Sequence, residues 1–410
     1  MMNRQNLGKH ILIMMEVAAL CVVLVMSTMA LATKEPKPPV VKPSGTENTI
    51  GDYVEETELK LPGEEAALAY KEERLTFSEE VEMKLASMTT EEKVAQLFLL
   101  TAEKLTGVEQ VTISGNGTKN ALNQYPIGGI IYDGDNFTGE EQIKLLTGKA
   151  QTYSMERIGL PLFITVGEEG GVDRSPIAKA NGYEITMSPG KLGSLGEVEL
   201  VTEAVNARME YVKENGFNVV FGAMGNLAQG LNAYDDDRTY GRDWSIACEL
   251  MEADVTAVNE NDMTSILRYF PKLYDAGKYT EGIGSELAVF QAGIDAGAKI
   301  VMVSNAKAQY MTGDRRLPCS LSAGTVAYIR GAMGYEGILM TSSLSENRMV
   351  AAYSSEEAAV KAIVAGIDMI LEPTDFVAAY EAVLEAVNDG TISQMRLEYA
   401  VGRILDLKMK

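Results

Sequence analysis

Side chains able to perform acid–base chemistry are distributed unusually along this chain of 410 residues, whose one histidine is His10. Imidazole is the commonest acid–base group near neutral pH and the commonest metal ligand. Residues 11–410 therefore exclude a Ser-His-Asp triad, a Cys-His pair and any histidine metal site. Carboxylates, hydroxyls, amines and backbone groups must carry the chemistry, and we expect no metal and no cofactor.

Charged and hydroxyl side chains lie at the ends of several apolar runs or in the loops that follow them. These candidate site residues are Glu168, Glu169, Arg174, Arg238, Arg268, Asp275, Glu281, Ser342 and Glu346. A buried arginine needs a partner or a ligand, so an internal salt bridge and a sugar contact are both open for Arg268. Arg238 can equally hold the acidic loop before it, and the two glutamates can bond neighbouring loops. The structural interpretation of Ser342 is a small polar residue whose side chain bonds local backbone.

The apolar runs that precede these side chains recur along the body of the chain. They are residues 94–100, 127–132, 162–166, 217–221, 264–270, 299–303, 337–340 and 367–371. Continuous rather than alternating apolar runs are typical of strands buried on both faces. Amphipathic stretches separate them, such as residues 201–215, 283–296, 323–333 and 355–365. The pattern predicts an α/β fold, a (β/α)8 TIM-type barrel, with a doubly wound open sheet as the alternative.

The N-terminal segment, residues 1–33, is apolar from residue 11 onward except for Glu16 and has Arg4 and Lys9 ahead of it. The uncharged part would rise about 26 Å as a helix, slightly less than a bilayer core of about 30 Å. A cleaved signal peptide and a retained membrane anchor both fit. In either case the basic flank stays inside and the remainder is exported, so we expect an extracytoplasmic protein, secreted or anchored by one transmembrane helix.

Residues 34–74 follow as a segment rich in proline and lysine, which predicts an extended linker. The folded domain is then residues 75–410. The net charge of −22 disfavours nucleic acid and anionic membrane surfaces as partners. Membrane contact would occur only through the N-terminal segment, if that segment is not cleaved.

Six short motifs occur in a fixed order along the predicted barrel. They are Thr90 to Leu97 (TEEKVAQL), Pro126 to Ile131 (PIGGII, followed by Asn136), Pro161 to Ile164 leading into Glu168 to Gly171 (EEGG), Arg238 to Gly241 (RTYG), Arg268 to Pro271 (RYFP) and Thr341 to Leu344 (TSSL). Their order resembles glycoside hydrolase family 3, specifically its single-domain β-N-acetylhexosaminidase branch. The resemblance runs from about residue 80 to the end.

The resemblance implies a catalytic apparatus that this chain does not carry. The family's nucleophile is an Asp after the seventh strand, and Ser342 stands at that position. The family's acid–base His-Asp pair lies after the fifth strand, where residues 268–281 contain no histidine. A sugar-binding Asp is replaced by Gly167, and Arg174 is displaced by one position from the expected arginine. The resemblance leaves Arg238, Arg268, Arg174 and Glu168 as ligand-binding candidates.

Two functional hypotheses follow. A retaining hydrolase needs its nucleophilic carboxylate about 5–5.5 Å from the acid–base group, so the leading hypothesis is a degenerate enzyme. It would bind cell-wall glycan, a muropeptide-like sugar or a protein partner as a binding or scaffold module. The alternative is an active hydrolase of N-acetylglucosamine-containing cell-wall glycan, in which Glu346 converges with Asp275 or Glu281 as relocated carboxylates.

Overall fold

A computed structural model describes residues 75–272, 274–275 and 283–410. The predicted signal peptide or anchor (1–33) and the predicted linker (34–74) lie outside the described residues, as does Glu281. Within the described ranges, no helix combines the length and the apolar character needed to cross a bilayer.

Eight parallel strands form the centre of the domain, in the order β7-β6-β5-β4-β3-β2-β1-β8. They are β1 (Phe98–Thr101), β2 (Gly129–Ile131), β3 (Phe163–Val166), β4 (Val219–Met224), β5 (Thr264–Phe270), β6 (Ile300–Val303), β7 (Ile338–Thr341) and β8 (Ile370–Leu371). A parallel bridge between Met340 and Met369 joins the two ends of this order. The Thr341 amide also donates to the Met369 carbonyl at 3.0 Å. The predicted (β/α)8 TIM-type barrel is confirmed, and the open-sheet alternative is set aside.

Helices surround the strands and alternate with them along the chain. They are α1 (Glu79–Ser87), α2 (Thr90–Gln96), α3 (Ala102–Thr106), α4 (Asn116–Gln124), α5 (Glu140–Ile158), α6 (Pro176–Asn181), α7 (Pro189–Leu195), α8 (Val198–Glu214), α9 (Ala233–Asp236), α10 (Trp244–Glu260), α11 (Ile283–Asp295), α12 (Gln309–Thr312), α13 (Ala323–Ala327), α14 (Asn347–Val350), α15 (Ser355–Ala365), α16 (Phe376–Asn388) and α17 (Gln394–Lys408). The predicted helical stretch 355–365 has the observed bounds. The stretch 323–333 continues beyond α13 as a π-helix, Tyr328–Ala332.

The first predicted strand began too early. Thr89 and Glu92 form a capping box, in which each side chain accepts the other's backbone amide. This cap starts α2, which continues through residues 94–96 of the first apolar run before β1 begins at Phe98. A short apolar run does not distinguish a buried helical turn from a strand, and here the cap decides in favour of the helix.

A buried carboxylate, Asp368, lies at the junction between β7 and β8. Its oxygens accept from Arg330 at 2.7 Å, Arg396 at 2.7 Å and Arg403 at 3.1 Å. The Leu339 amide of β7 donates to the same carboxylate at 2.9 Å. Burial alone would raise the pKa of Asp368, but the three guanidinium groups hold it below its usual range. We call Asp368 and these three arginines the seam cluster, because they join the last strand to β7.

Candidate active site

The carboxyl ends of the strands meet at one end of the barrel, where ligands bind in folds of this type. The turn after β3 depends on Gly170 and Gly171, whose φ angles are +88° and +75°. A side chain is strained in this left-handed region. A Cβ at Gly170 would also approach the Met187 carbonyl oxygen to 2.4 Å. These glycines let the chain turn sharply directly after Glu169.

Glu169 is buried at the barrel mouth and contacts three arginines. Arg238 binds it with two hydrogen bonds, Nε to Oε2 at 2.9 Å and Nη2 to Oε1 at 3.0 Å. Arg268 lies at 2.8 Å and Arg174 at 3.5 Å from Oε1. Burial alone would raise the pKa of Glu169, but Arg268 and Arg238 lower it to about 2. We call these four residues the mouth cluster.

The arginines of the mouth cluster have further partners inside the protein. Arg238 Nη1 lies 3.7 Å from Asp235, in the acidic loop that precedes it. Arg268 donates from Nε and Nη2 to the Gly222 carbonyl, at 3.2 and 2.5 Å. The internal salt bridge weighed for Arg268 and the loop contact weighed for Arg238 are therefore both present. Their contact with a ligand stays a prediction.

Glu168 turns away from the mouth cluster. Its carboxylate accepts from the Ile177 amide in the first turn of α6 at 2.9 Å and from the Tyr211 hydroxyl at 2.9 Å. Burial raises the pKa of Glu168 to about 7, against the opposing effect of these hydrogen bonds. The structure thus brings together three of the four predicted ligand-binding residues and places Glu168 against α6 and α8 instead.

Replacing Glu168 with glutamine should change how stability depends on pH. A pKa raised from 4.5 to about 7 means that the folded state holds this proton more tightly, so the stability it contributes is lost as pH rises from 4.5 through 7. Glutamine stays neutral, so Glu168→Gln should gain roughly 2–3 kcal/mol relative to the parent over that range. Urea unfolding at a series of pH values measures this difference, and parallel profiles for the two proteins would contradict it. Lys408, whose burial lowers its pKa to about 7, titrates in both proteins and cancels.

Ser342 lies at the carboxyl end of β7 and is fully buried. Its amide donates to the Val303 carbonyl at 2.8 Å, but its hydroxyl has no hydrogen-bond partner among the described residues. The adjacent Ser343 does bond local backbone, since its hydroxyl accepts from the Ser345 amide at 3.2 Å. The expectation that the Ser342 side chain bonds local backbone is therefore wrong, and its amide bonds instead to the neighbouring strand β6.

A second group of charges lies on the loops after β5 and β7. Arg348 donates to Asp275 at 3.1 Å and pairs with Glu346 at 3.3 Å. Burial raises the pKa of Glu346, and Arg348 opposes that rise. The predicted convergence of Glu346 with Asp275 thus occurs through one guanidinium. We call Asp275, Glu346 and Arg348 the rim trio.

Two residues near these groups were missed from the sequence. Tyr234 places its ring 4.0 Å from the Arg174 guanidinium and 5.9 Å from that of Arg238. Arg348 is the cation that joins the rim trio. Their signals were local, since Tyr234 lies four residues before Arg238 and Arg348 lies two residues after Glu346. In the part of the chain that the structure describes, no three His, Cys, Asp or Glu side chains form a metal site.

The barrel domain is similar in sequence to known proteins. Residues 89–407 match the glycosyl hydrolase family 3 N-terminal domain. A β-N-acetylglucosaminidase/β-glucosidase of Cellulomonas fimi is 22% identical over 349 residues, covering 79% of this chain and 58% of that protein. A β-hexosaminidase of Vibrio cholerae is 27% identical over 271 residues, covering 60% of this chain and 76% of that protein.

Solved structures resemble the fold over the same region. A family 3 β-N-acetylglucosaminidase from a Paenibacillus species has a TM-score of 0.72 and 26% identity, covering 79% of this chain and 62% of that one. A β-N-acetylhexosaminidase from Beutenbergia cavernae has a TM-score of 0.69 at 20% identity, covering 79% of this chain and 100% of that one. The chain spans less than two thirds of the Cellulomonas and Paenibacillus proteins. It belongs to glycosyl hydrolase family 3, and its barrel corresponds to the N-terminal domain of that family.

Proposed function

We propose that this chain is a catalytically degenerate member of family 3 that binds N-acetylglucosamine-containing glycan at its barrel mouth, outside the cell. The observation that carries the proposal is Ser342. It occupies the end of β7, where the family resemblance expects the attacking carboxylate, and its hydroxyl has no partner among the described residues. An alcohol becomes a nucleophile only when a base removes its proton, and no base bonds to this hydroxyl within the residues that the structure describes.

The buried carboxylate of the mouth cluster cannot replace the missing nucleophile. Both oxygens of Glu169 already accept from guanidinium groups at 2.8–3.0 Å. With a pKa of about 2 it stays ionised and cannot donate a proton near neutral pH. Residues 11–410 also contain no histidine to act as the acid–base group. Turnover by the family's retaining mechanism, which needs two such groups, is therefore not expected.

The arginines of the mouth cluster retain the capacity to bind a polar ligand. A guanidinium has five N–H donors, and Nε of Arg174 has no hydrogen-bond partner among the described residues. Sugar hydroxyls and acetamido oxygens are acceptors for such donors. The names of the Cellulomonas and Vibrio relatives support an N-acetylglucosamine-type ligand. The apolar N-terminal segment supports export, by secretion or with retention as an anchor.

Calorimetry on the full-length protein in a mild detergent tests this binding, with chitotetraose and a muropeptide-type disaccharide as probes. Arg238→Ala should weaken binding by about 10- to 100-fold, the effect of losing a charged hydrogen bond of about 1.5–3 kcal/mol. Arg316→Ala is the matched control, because Arg316 is mostly exposed and pairs with Asp314 near its own turn. Absence of binding by the folded parent protein would contradict glycan recognition and favour a protein partner.

The rim trio favours one other candidate function, hydrolysis of the same glycan by relocated carboxylates. Inverting hydrolases hold two carboxylates about 6.5–9.5 Å apart, and Arg348 joins Asp275 to Glu346 at the barrel mouth. Release of an aryl group from an aryl N-acetylglucosaminide separates the two candidates. We expect no release above buffer. Release that Glu346→Gln or Asp275→Asn abolishes would overturn the degenerate assignment.

A further inference from the structure

Large apolar side chains are exposed on the two loops that carry Arg174 and Arg238 of the mouth cluster. Val172 lies beside Arg174 in the loop after β3, and its exposed fraction is 66%. Leu231 and Tyr234 lie in the loop after β4, before Arg238, with exposed fractions of 70% and 52%. The cation–π contact between Tyr234 and Arg174 links the two loops. Apolar surface therefore borders a buried set of hydrogen-bond donors.

Tyr234 is held in place despite its exposure. Its ring centroid lies 4.0 Å from the Arg174 guanidinium carbon, and its amide donates to the Asn232 side chain at 3.1 Å. The neighbouring Asp235 accepts from the Tyr274 hydroxyl at 2.6 Å, which ties this loop to the loop after β5. Asp236 accepts two further backbone amides of the loop, at 2.9 and 2.8 Å. The loop that carries the ring is therefore anchored, and the ring lies against Arg174, before any ligand arrives.

We propose that Tyr234 is the stacking platform for a pyranose ring of the bound glycan, an inference that rests on the proposed function. A pyranose presents C–H groups on its faces and hydroxyls around its edge. It needs an aromatic surface beside hydrogen-bond donors, and Tyr234 beside Arg174 and Arg238 provides both. A tyrosine that is already fixed loses little conformational entropy on binding.

A purely structural role would make Tyr234 a cover for Arg174. Exposed cation–π contacts are weak, so such a role would affect stability slightly and leave the affinity for sugar unchanged. As a platform, Tyr234 contacts the sugar with the exposed surface of its ring. As a cover for Arg174, it does not contact the sugar. A stacked sugar shifts its own C–H proton resonances through the ring current of the tyrosine, whereas a cover for Arg174 produces no such shift.

The test uses the full-length protein in a mild detergent, titrated with chitotetraose and followed by calorimetry and by proton NMR of the sugar. Tyr234→Phe should bind within about twofold of the parent, because the aromatic surface remains. Tyr234→Ala should bind about tenfold or more weakly and should lose the upfield shift of the ring protons. Met395→Ala removes a similarly exposed side chain on α17 and should change neither measurement.

The outcomes distinguish failure of this inference from failure of the proposed function. Equal binding and equal proton shifts for the parent and Tyr234→Ala would overturn the platform and leave glycan binding in place. Tighter binding by Tyr234→Ala would also overturn it, because the ring would then be covering the site. A parent protein that binds no glycan would overturn both. Thermal unfolding of each variant confirms that the compared proteins are folded.

Discussion

Glu169→Gln should lower the free energy of unfolding by about 3–5 kcal/mol, the usual effect of removing one partner from a buried ion pair. Glutamine keeps the size of the side chain and removes the charge, so three arginines at the barrel mouth lose their shared anion. Urea unfolding, followed by circular dichroism and by the fluorescence of the single tryptophan, Trp244, measures the loss.

Glu168→Gln is the matched control, because it alters the adjacent glutamate without touching the arginines. At pH 7 it should not destabilise the protein, since burial raises the pKa of Glu168 to about 7 and a neutral side chain suits its site. A loss for Glu169→Gln below about 1 kcal/mol, the range of exposed ion pairs, would show that the arginines find other partners.

Glu169→Gln should also remove part of the acid sensitivity of the fold. The pKa of Glu169 is lowered to about 2 from the ordinary 4.5, so its contribution is fully present above pH 4.5 and is lost as pH falls toward 2. The difference in unfolding free energy between the parent and Glu169→Gln should therefore shrink over that range. If this difference in unfolding free energy stays constant with pH, the stabilisation does not come from the charge of Glu169.

Asp368→Asn should cause a second loss of about 3–5 kcal/mol, for the same physical reason at a different place. It removes the anion of the seam cluster, whose three arginines approach to 2.7–3.1 Å. Hydrogen exchange adds a local measurement. In the Asp368→Asn variant, the amides of residues 368 and 341, which bond across the junction of β7 and β8, should exchange faster than the amides that join β2 to β3.

Asp314→Asn is the control for the seam cluster. Asp314 is close to half exposed and pairs with Arg316, so its loss should change stability by about 1 kcal/mol or less. Equal effects of the two substitutions, or uniform exchange around the barrel, would contradict a special role for the junction between β7 and β8.

The barrel could be predicted from sequence because its strands are buried on both faces and read as continuous apolar runs. The errors occurred where a polar contact overrides that pattern. The capping box at Thr89 extends α2 into the first run. The last run, predicted as 367–371, contains Asp368, and the strand itself is only Ile370–Leu371. The hydrogen bonds that close the barrel are instead made by residues 368 and 369, which precede β8.

Most residues of the site could be predicted from the sequence, but the contacts between them could not. Motif order placed Arg238 and Arg268 at strand ends, but it did not show which of two adjacent glutamates would face them. Glu169 does so and Glu168 does not, because the turn through Gly170 and Gly171 sets their directions. Tyr234 and Arg348 were missed because they act through contacts between loops, and a single sequence does not show such contacts.

The mouth cluster and Ser342 should respond differently to mutation. Loss of Arg238 would break a buried ion pair and endanger folding, whatever the protein binds. The Ser342 hydroxyl has no hydrogen-bond partner within the described part of the chain, so a substitution there would break no such contact of its side chain. Selection for a folded protein alone is therefore enough to keep the arginines of the mouth cluster, whereas it does not require a serine at position 342.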